Sequence, residues 1–386
     1  MKTAGIIAEF DPFHNGHRYL IDRLRAEGYT HIAIAMSGSA VQRGSLAVYD
    51  KQFRAETAVR FGADLVIEIP APYSCSNAEV FAGAGVAALA ALGEGVIGTL
   101  AFGSETDDLS LLIRASDAAD ALKDSELVRR YLASGDSYPA AVSKACEAQY
   151  GREVASVFMT PNSTLALEYC RAIRRSAPFM TPFAVKRFGS THDADGIYEG
   201  FASASYIRKL ILSGDDITEL VPAADTDHFD PVRISNILLY SLQSADKEML
   251  LSTPDTDEAI ADRVLNTSKG SFPSLSELLD ACKAKNITRA RLSRLALHAV
   301  LRINKSDILP LPYARVLAFN ERGRELLGAS QHVIPVDTSL SRLTSSSPTA
   351  ARVAQIEQRA GLLRSLGTVS GKNINDHTRQ IRISGY

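Results

Sequence analysis

The stretch GIIAEFDPFHNGHRYLIDRLRAEG, residues 5–28, joins a strand pattern to a helix pattern through a short loop with two histidines. The apolar run 5–10 is typical of a buried strand, and 16–28 has the periodicity of an amphipathic helix that ends at a glycine. His14 and His17 therefore lie on the first strand-to-helix turn. In a parallel sheet, this turn is where a ligand site is expected.

Strand and helix patterns continue to alternate along the first part of the chain. Strands are predicted at 31–38, 64–70, 95–105 and 179–189. Helical patterns cover 50–62, 77–93, 109–150, 161–175 and 201–214. Short β-branched runs separated by helices predict an α/β fold with a doubly wound parallel sheet. Its crossovers are expected to be right-handed, and its ligands to bind at the carboxyl ends of the strands.

The pattern changes near residue 225. Strand signals nearly vanish beyond about residue 230, where segments such as TRARLSRLALHAVLRI (288–303) have helical periodicity. The acidic, proline-flanked segment 222–231 is typical of a linker. We predict an α/β catalytic domain over 1–225 and a mainly α-helical domain over 226–386. The polar tail, 371–386, is predicted to be mobile unless a partner orders it.

The net charge of −2 conceals two parts of opposite sign. Residues 261–386 hold 19 Lys and Arg against 9 Asp and Glu, whereas residues 1–260 hold 23 against 35. A basic part indicates a polyanionic partner, although it also suits a helical domain that is merely soluble. Six basic residues lie within twenty positions: Lys283, Lys285, Arg289, Arg291, Arg294 and Arg302. The arginines have no acidic residue three or four positions away, so their charge is predicted to be unpaired until it meets RNA phosphates.

Composition excludes several classes of protein. With 46% hydrophobic and 22% charged residues, the chain is ordinary for a globular protein. No apolar stretch reaches the roughly 20 residues of a membrane helix, and the first apolar run is a strand pattern rather than a signal peptide, so a cytoplasmic location is expected. The cysteines are far apart, which argues against a disulfide framework or a zinc site. All are predicted to be buried thiols: Cys75, Cys146, Cys170 and Cys282.

The two histidines suit phosphate chemistry. A helix N-terminus offers unpaired N–H groups and the positive end of a dipole, and Gly16 lets the backbone approach a ligand closely. His14 and His17 can both aim an N–H at one anion, and such a pair would stabilise the charge that develops on the α-phosphate during nucleotidyl transfer. The alternatives are two turn histidines, one capping the helix and one packing, and a zinc pair, which no nearby Cys or third His completes.

Further motifs follow in order along the chain. They are MSGSAVQRG (36–44), GADLVIEIP (62–70), FGSE (102–105), PNSTLALEY (161–169), VKRFG (185–189), FASASYIR (201–208), TRARLSRLALHAVLRI and YARVLAFNERGRELL (313–327). With GIIAEFDPFHNGH, the set resembles the bacterial tRNA(Met) cytidine acetate ligase family of the HIGH nucleotidyltransferase superfamily over nearly the whole chain. The resemblance implies that ATP and acetate form acetyl-adenylate, and that the acetyl group passes to N4 of the wobble cytidine of elongator tRNA(Met).

The same resemblance implies which residues bind ATP. His14 and His17 would contact the triphosphate, within a segment that lines the ATP site: Ile7, Ala8, Glu9, Phe10, Asp11, Pro12, Phe13, His14, Asn15, Gly16, His17, Arg18, Tyr19 and Leu20. Gly103, after a strand that ends at Phe102, would leave space for the nucleotide. Asn162 would read an adenine edge or a ribose hydroxyl, unless it is a plain helix cap.

Further cations and hydroxyls are assigned to phosphate by this resemblance. Lys186 and Arg187 would hold phosphates, the arginine in a bidentate way, unless they are solvated charges at the end of a strand. Ser203, Ser205 and Arg208 occupy the place of the superfamily's second phosphate motif, where two serines at a helix start also suit caps. Mg²⁺ is expected to arrive with ATP, and no carboxylate cluster marks a dedicated metal site.

The chain departs from the family pattern near this site. The family more usually has Asn at the place of Asp11, whose negative charge near a triphosphate is unfavourable unless a cation or Arg43 offsets it. Four more departures lie in a loop that we expect to face the active site: Ser39, Ala40, Ser45 and Leu46. These departures concern the rate or the choice of acid rather than the fold.

Two other classes of function remain open. A small-molecule adenylyltransferase shares the histidine motif but has no need of a long basic helical domain. A non-catalytic RNA-binding protein with this fold has no use for the paired histidines. Acetate-dependent exchange of pyrophosphate into ATP discriminates both classes from a ligase.

Overall fold

A computed structural model describes residues 1–187 and 196–371. The described strands are β1 (Thr3–Ala8), β2 (His31–Ser37), β3 (Ala40–Val41), β4 (Ser45–Leu46), β5 (Leu65–Ile69), β6 (Thr99–Ser104), β7 (Thr181–Lys186), β8 (Ala314–Phe319) and β9 (Val336–Asp337).

Helices make up most of the rest of the described chain. The α-helices are α1 (Asn15–Ala26), α2 (Lys51–Arg60), α3 (Ala71–Ser74), α4 (Ala78–Ala90), α5 (Leu109–Leu122), α6 (Glu126–Ala133), α7 (Tyr138–Tyr150), α8 (Arg152–Ser156), α9 (Pro161–Ser176), α10 (Ala204–Ser213), α11 (Ser235–Gln243), α12 (Lys247–Ser252), α13 (Glu258–Thr267), α14 (Leu275–Cys282), α15 (Arg289–Leu301), α16 (Glu321–Ala329), α17 (Leu340–Thr344) and α18 (Pro348–Leu366). Short 3₁₀ helices lie at Val157–Met159, Pro231–Ile234 and Lys305–Asp307.

The main sheet has the strand order β7-β6-β1-β2-β5-β8-β9. The strands from β7 to β5 are parallel to one another, and β8 joins β5 in the antiparallel direction. The chain builds β1, β2 and β5 towards one edge and then adds β6 and β7 on the other side of β1. The gap between β1 and β6 is therefore the topological switch point, where such folds leave a ligand crevice. The predicted doubly wound parallel sheet is confirmed.

Helices cover both faces of this sheet. Successive residues of β1 point to opposite faces, so that Ile7 packs in the core beneath α4 and α9, whereas Ile6 packs beneath α1 and α2. Gly85 of α4 lies so close to Ile7 that an added Cβ would come within 2.7 Å of it. Burial on both faces explains why these strands are continuous apolar runs rather than alternating ones.

The chain after residue 225 is mainly helical, but it also adds strands to the main sheet. Helices α11 to α15 share a core of their own, which confirms the predicted helical character of that stretch. The sequence ARVLAF of 314–319 then forms β8, a strand that the prediction missed. All of its residues but the last are buried, so it lacks the alternation that marks a half-exposed strand. The domain boundary near residue 225 stays a prediction. The main sheet contains strands from both sides of that boundary.

The remaining sequence predictions can be placed briefly. The four cysteines are free and buried, as predicted. Within residues 1–187 and 196–371, no helix combines the length and the apolar character that crossing a bilayer requires. The predicted mobile tail after Gly371 lies outside the described residues, as do the last two residues of VKRFG.

Candidate active site

The two histidines cap the N-terminus of α1. The Nδ1 atom of His14 accepts the N–H of Gly16 at 3.0 Å, and Nδ1 of His17 accepts the N–H of His14 at 3.2 Å. A Cβ on Gly16 would come within 2.9 Å of the His14 ring, so the glycine makes room for this cap. Because each Nδ1 is an acceptor, each ring carries its proton on Nε2. Both residues cap the helix, whereas the predicted alternative had one histidine that caps and one that packs. Each ring also retains an Nε2–H donor.

The environment keeps both imidazoles neutral. Their rings stack with centroids 3.8 Å apart, and the Phe10 ring meets the His17 ring edge-on at 4.8 Å. Burial, together with the positive charges of Arg187 and Arg208, lowers the pKa of His14 to about 3. Burial, His14 and Arg187 lower the pKa of His17 well below its ordinary value. At physiological pH the pair therefore donates hydrogen bonds without carrying charge.

Arg187 reaches the switch point from the end of β7. Its N–H donates to the carbonyl of Ser104 at 2.8 Å, and a Cβ on Gly103 would lie 3.2 Å from its Cγ. Gly103 is thus inside β6, which runs on to Ser104 rather than ending at Phe102 as predicted. The absent side chain leaves room for Arg187, and the role of Gly103 in making space for a nucleotide stays a prediction. Lys186 is exposed and precedes Arg187 on a strand whose successive side chains alternate, so of these two predicted cations Arg187 is the one beside the histidines.

Arg208 brings the second positive charge to the site. It lies in α10, where the hydroxyl of Ser203 accepts the N–H of Tyr206 at 3.2 Å and contacts the Ser205 hydroxyl at 3.0 Å. Ser203 is thus a helix cap, as the alternative reading of the two serines proposed. Arg208 donates from Nη1 to the carbonyl of Asp11 at 2.5 Å, and the same atom lies 3.2 Å from Oδ2 of that residue.

The buried Asp11 carboxylate is therefore already paired. Its Oδ1 atom accepts the N–H of Val48 at 2.7 Å, and its Oδ2 atom lies against Arg208. The sequence analysis required a cation or Arg43 to offset this charge, and the cation that lies against the carboxylate is Arg208. The carboxylate also ties the histidine loop to the loop that carries Val48.

Asn162 lies in the first turn of α9 but does not cap it. The N-cap is Thr160, so the prediction of a plain helix cap is wrong for Asn162. Its Nδ2 donates to Oε1 of Glu105 at 2.6 Å, while the N–H and hydroxyl of Ser163 donate to Oε2 at 2.6 and 2.7 Å. Glu105, which directly follows β6, thus caps α9 from another element. Sequence analysis missed this residue, although its place after a strand in FGSE was visible.

Comparison with known proteins identifies the family of this chain. The chain is 34% identical to the tRNA(Met) cytidine acetate ligase of Syntrophotalea carbinolica over 89% of this chain and 86% of that protein. It is 30% identical to the protein of that name from Staphylococcus saprophyticus over 99% of this chain and all of that protein. The family model described as HIGH Nucleotidyl Transferase matches residues 1–378. The chain belongs to the HIGH nucleotidyltransferase family, among its tRNA(Met) cytidine acetate ligases.

Solved structures agree with the fold. Thermotoga maritima TmcAL in its apo form matches over 100% of both chains with a TM-score of 0.90 and 24% identity. The same protein bound with alpha-thio ATP matches over 100% of both chains with a TM-score of 0.87 and 23% identity. At this identity the likeness establishes the HIGH nucleotidyltransferase fold for this chain.

The rest of the predicted ATP segment divides into core and surface. Five of its side chains lie in the two sheet cores: Ile7, Ala8, Phe10, Phe13 and Leu20. Arg18 is exposed, 3.7 Å from Asp22, on the outer face of α1. The Asn15 amide donates to the carbonyls of Gly200 and Glu219 at 2.9 and 2.7 Å and so holds α1 against the chain around α10. The predicted segment thus supplies the site mainly through its loop and the helix N-terminus.

The loop that departs from the usual HIGH family ligase sequence packs in part against the C-terminal helices. Ala40 and Leu46 are buried in a core that includes residues of α15 and α18. The N–H of Ser39 donates to Oε1 of Glu357 at 2.7 Å, and Ser45 is exposed. Ser39, Ala40 and Leu46 thus contact C-terminal helices, which the sequence pattern had assigned to a separate domain, whereas Gln42 of the same loop donates its N–H to Glu9 of the predicted ATP segment. That the loop faces the active site stays a prediction.

Arg54 is a buried residue of the site region that sequence analysis missed. It is 1% exposed, and its guanidinium donates to the carbonyls of Glu9, Ser37, Gly38 and Tyr49. These carbonyls lie at or just after the ends of β1 and β2 or in the loop before α2, so Arg54 connects the loops at the carboxyl edge of the sheet. The N–H of Gln42 adds a bond of 2.6 Å to Oε1 of Glu9. No periodic pattern marks such a residue, because its partners are backbone atoms.

The basic helix α15 has carboxylate partners. Arg289 lies 2.7 Å from Asp280, Arg291 3.2 Å from Asp257, and Arg294 3.2 Å from Asp255. Lys283 and Lys285 pair with Asp280 and Asp136 at 3.2 and 2.9 Å. The prediction of unpaired charge is wrong for these three arginines, because α14 and the turn before α13 supply the acids. Among the described residues, no acidic side chain forms an ion pair with Arg302.

Proposed function

We propose that this protein activates acetate with ATP to form acetyl-adenylate and transfers the acetyl group to N4 of the wobble cytidine of elongator tRNA(Met). The observation that carries the chemical half of this proposal is the pair of neutral imidazoles, with Arg187 and Arg208 beside them, at the N-terminus of α1 and the switch point of the sheet. The names of the sequence relatives support the choice of tRNA(Met) cytidine and acetate.

The proposed activation step needs positioning and electrostatic stabilisation. A carboxylate oxygen of acetate attacks the α-phosphorus of ATP, and the bond from that phosphorus to the bridging oxygen of pyrophosphate breaks. Charge builds up on the α-phosphate oxygens, which the Nε2–H donors of His14 and His17 and the N-terminus of α1 stabilise. Arg187 and Arg208 are placed to hold the remaining phosphates. Neutral imidazoles suit this step because they donate without having to release a proton.

The transfer step consumes the mixed anhydride. The N4 amine of cytidine attacks the acetyl carbon, the bond from that carbon to the AMP oxygen breaks, and the amine proton passes to solvent. We propose that the helical part after residue 225 binds the tRNA, and that the protein acts where tRNA is found, in the cytoplasm. TmcAL of Thermotoga maritima, bound with alpha-thio ATP, supports ATP as the nucleotide.

Mg²⁺ is proposed to enter as part of the MgATP substrate. The buried Asp11 carboxylate lies in the histidine loop, where its Oδ1 accepts the Val48 N–H and its Oδ2 lies 3.2 Å from Nη1 of Arg208. A cation held there would have to displace the arginine. The ATP phosphates are therefore the expected ligands of the ion.

The test is exchange of labelled pyrophosphate into ATP, with and without acetate, followed by mass analysis of the nucleosides of tRNA treated with protein, ATP and acetate. We expect exchange that requires acetate and acetylated cytidine in tRNA(Met) alone. A tRNA(Met) with uridine at the wobble position is the matched control and should not be acetylated. Exchange without acetate, driven by a small phosphorylated acceptor, would instead identify a small-molecule adenylyltransferase.

A further inference from the structure

The contact between Glu105 and Asn162 lies beside the proposed phosphate site. Glu105 follows β6, and its charge acts on Arg187, which in turn lowers the pKa of His14. Glu105 directly follows β6 beside the switch point and bonds the first turn of α9, so that turn lies at the carboxyl edge of the sheet, where the histidines also lie. Whatever Asn162 presents at this edge is therefore available to the nucleoside of a bound nucleotide.

The carboxylate dictates which end of the Asn162 amide is free. An ionised carboxylate can only accept hydrogen bonds, so the atom 2.6 Å from Oε1 must be the amide nitrogen. Burial by itself raises the pKa of Glu105, but hydrogen bonds from Asn162 and Ser163 outweigh it and hold the pKa below the ordinary value. The amide cannot turn over without setting two oxygens against each other. In the described part of the chain, no donor contacts Oδ1 of Asn162, and the residue is only partly buried.

We propose that Glu105 is a positioning residue that fixes the Asn162 amide, so that its oxygen accepts a hydrogen bond from the nucleoside of ATP. This inference rests on the proposed use of ATP. The donor is either the exocyclic amine of adenine or a ribose hydroxyl. A guanine or hypoxanthine base offers an oxygen in place of that amine and would face the Asn162 oxygen unfavourably.

The first test replaces Glu105 by its neutral isostere. In Glu105→Gln the new amide can donate to Asn162 Oδ1, which lets the Asn162 amide turn and lose the fixed acceptor. We expect KM for ATP in acetate-dependent pyrophosphate exchange to rise about fivefold to tenfold, the value of one hydrogen bond, with kcat little changed. Ser163→Ala is the matched control, because it weakens the cap of α9 at the same carboxylate without touching the Asn162 bond. Its KM should stay within about twofold.

The second test distinguishes the two donors by the nucleotide used. Inosine triphosphate lacks the amine, and 2′- and 3′-deoxy-ATP each lack one hydroxyl. The unaltered protein should prefer ATP to one of these three nucleotides, and this preference should be smaller in Glu105→Gln. The nucleotide for which the preference becomes smaller identifies the donor. If no preference narrows, the Asn162 oxygen does not read the nucleoside and the inference is wrong.

The third test exchanges the two side chains. Asn162→Asp places two carboxylates against each other. The double variant Glu105→Gln with Asn162→Asp restores a donor–acceptor pair. Its net charge equals that of the unaltered pair, and an oxygen of residue 162 is still free to accept a hydrogen bond. We expect the double variant to recover a KM near that of the unaltered protein. A double variant no better than Asn162→Asp, or a Ser163→Ala protein as impaired as Glu105→Gln, would reduce Glu105 to a helix cap. Absence of any exchange in the unaltered protein would instead overturn the proposed function itself.

Discussion

The N-terminus of α1 and the helix α15 both carry polar side chains that the sequence assigns to an anion, and their surroundings differ. At α1, His14 and His17 use Nδ1 for the backbone and keep Nε2–H for a ligand. On α15, Arg291 and Arg294 contact carboxylates of other elements. Within residues 1–187 and 196–371, the α1 site has donors without a partner, whereas most of the α15 charge is paired with carboxylates.

This contrast shows which polar groups can be inferred from a sequence to be available to a ligand. A local cap is settled by residues two or three positions apart, so its free donors follow from the motif. An ion pair is settled by distance in space, and Asp257 reaches Arg291 from a turn that precedes α13. A count of basic residues therefore overstates what a helix has available for RNA. Arg302, at the exposed end of α15, is a better candidate for the predicted contact with RNA than the paired arginines.

The largest expected effect tests the α1 half of this comparison. In His14→Asn, the side-chain oxygen can still accept the Gly16 N–H, but the Nε2–H donor is lost. We expect kcat for acetate-dependent pyrophosphate exchange to fall ~10²-fold or more with the thermal unfolding temperature little changed. His332→Asn, at an exposed histidine, is the control and should be fully active. Turnover within a few-fold of the unaltered protein would show that the pair is a structural cap.

The next effect concerns the pairing of Asp11 with Arg208. In Arg208→Gln the buried carboxylate loses its counter-ion, and we expect the free energy of unfolding in urea to fall by about 3 kcal/mol. Adding Asp11→Asn should recover most of this stability, because the buried charge is gone. The double variant should nevertheless keep a raised KM for ATP if Arg208 also holds phosphate. Full recovery of both quantities would confine Arg208 to neutralising Asp11.

A smaller effect is the pH dependence of stability. The pKa of His14 is lowered to about 3 by burial, so between about pH 6.5 and that value the unfolded chain binds a proton that the folded protein does not. Stability is therefore complete above about pH 6.5 and is lost as the pH falls. Unfolding in urea at several pH values should show a shallower dependence for His14→Asn than for the unaltered protein. Equal slopes would mean that His14 is not held neutral.

The smallest expected effect tests α15. Arg302→Gln should reduce the slope of log K for tRNA binding against log[salt] by ~0.7–0.9, the value for one phosphate contact. Arg291→Gln, at a paired arginine of the same helix, should change the slope less, because its charge is already compensated by Asp257. Both measurements need tRNA(Met) over a range of salt. If Arg291→Gln changes the slope as much as Arg302→Gln, tRNA displaces the ion pair and the contrast between α1 and α15 does not hold.

Much of the fold could be predicted because its signals are local. The alternation of apolar runs and amphipathic helices predicts the parallel strands, and the position of His14 after the first of them predicts the site. β8 was missed because its short apolar run follows a series of helical patterns, and the pairing that makes it a strand joins it to β5, far earlier in the chain. Glu105 was missed for a different reason: its function is to hold Asn162, 57 positions away, and neither residue marks the other in the sequence.

Most strands and helices before residue 225, and the chemistry of the turn before α1, could be inferred from the sequence. Strand and helix patterns, helix caps and a histidine's acceptor atom depend on neighbours a few positions away. Only the tertiary structure decided which charges remain for a ligand. Buried Lys51 lies 2.6 Å from Glu68 and 2.9 Å from Glu357, and the latter comes from α18, 306 positions along the chain. A charge is neutralised by whatever lies within a few ångströms in space, and that distance has no counterpart in the order of residues.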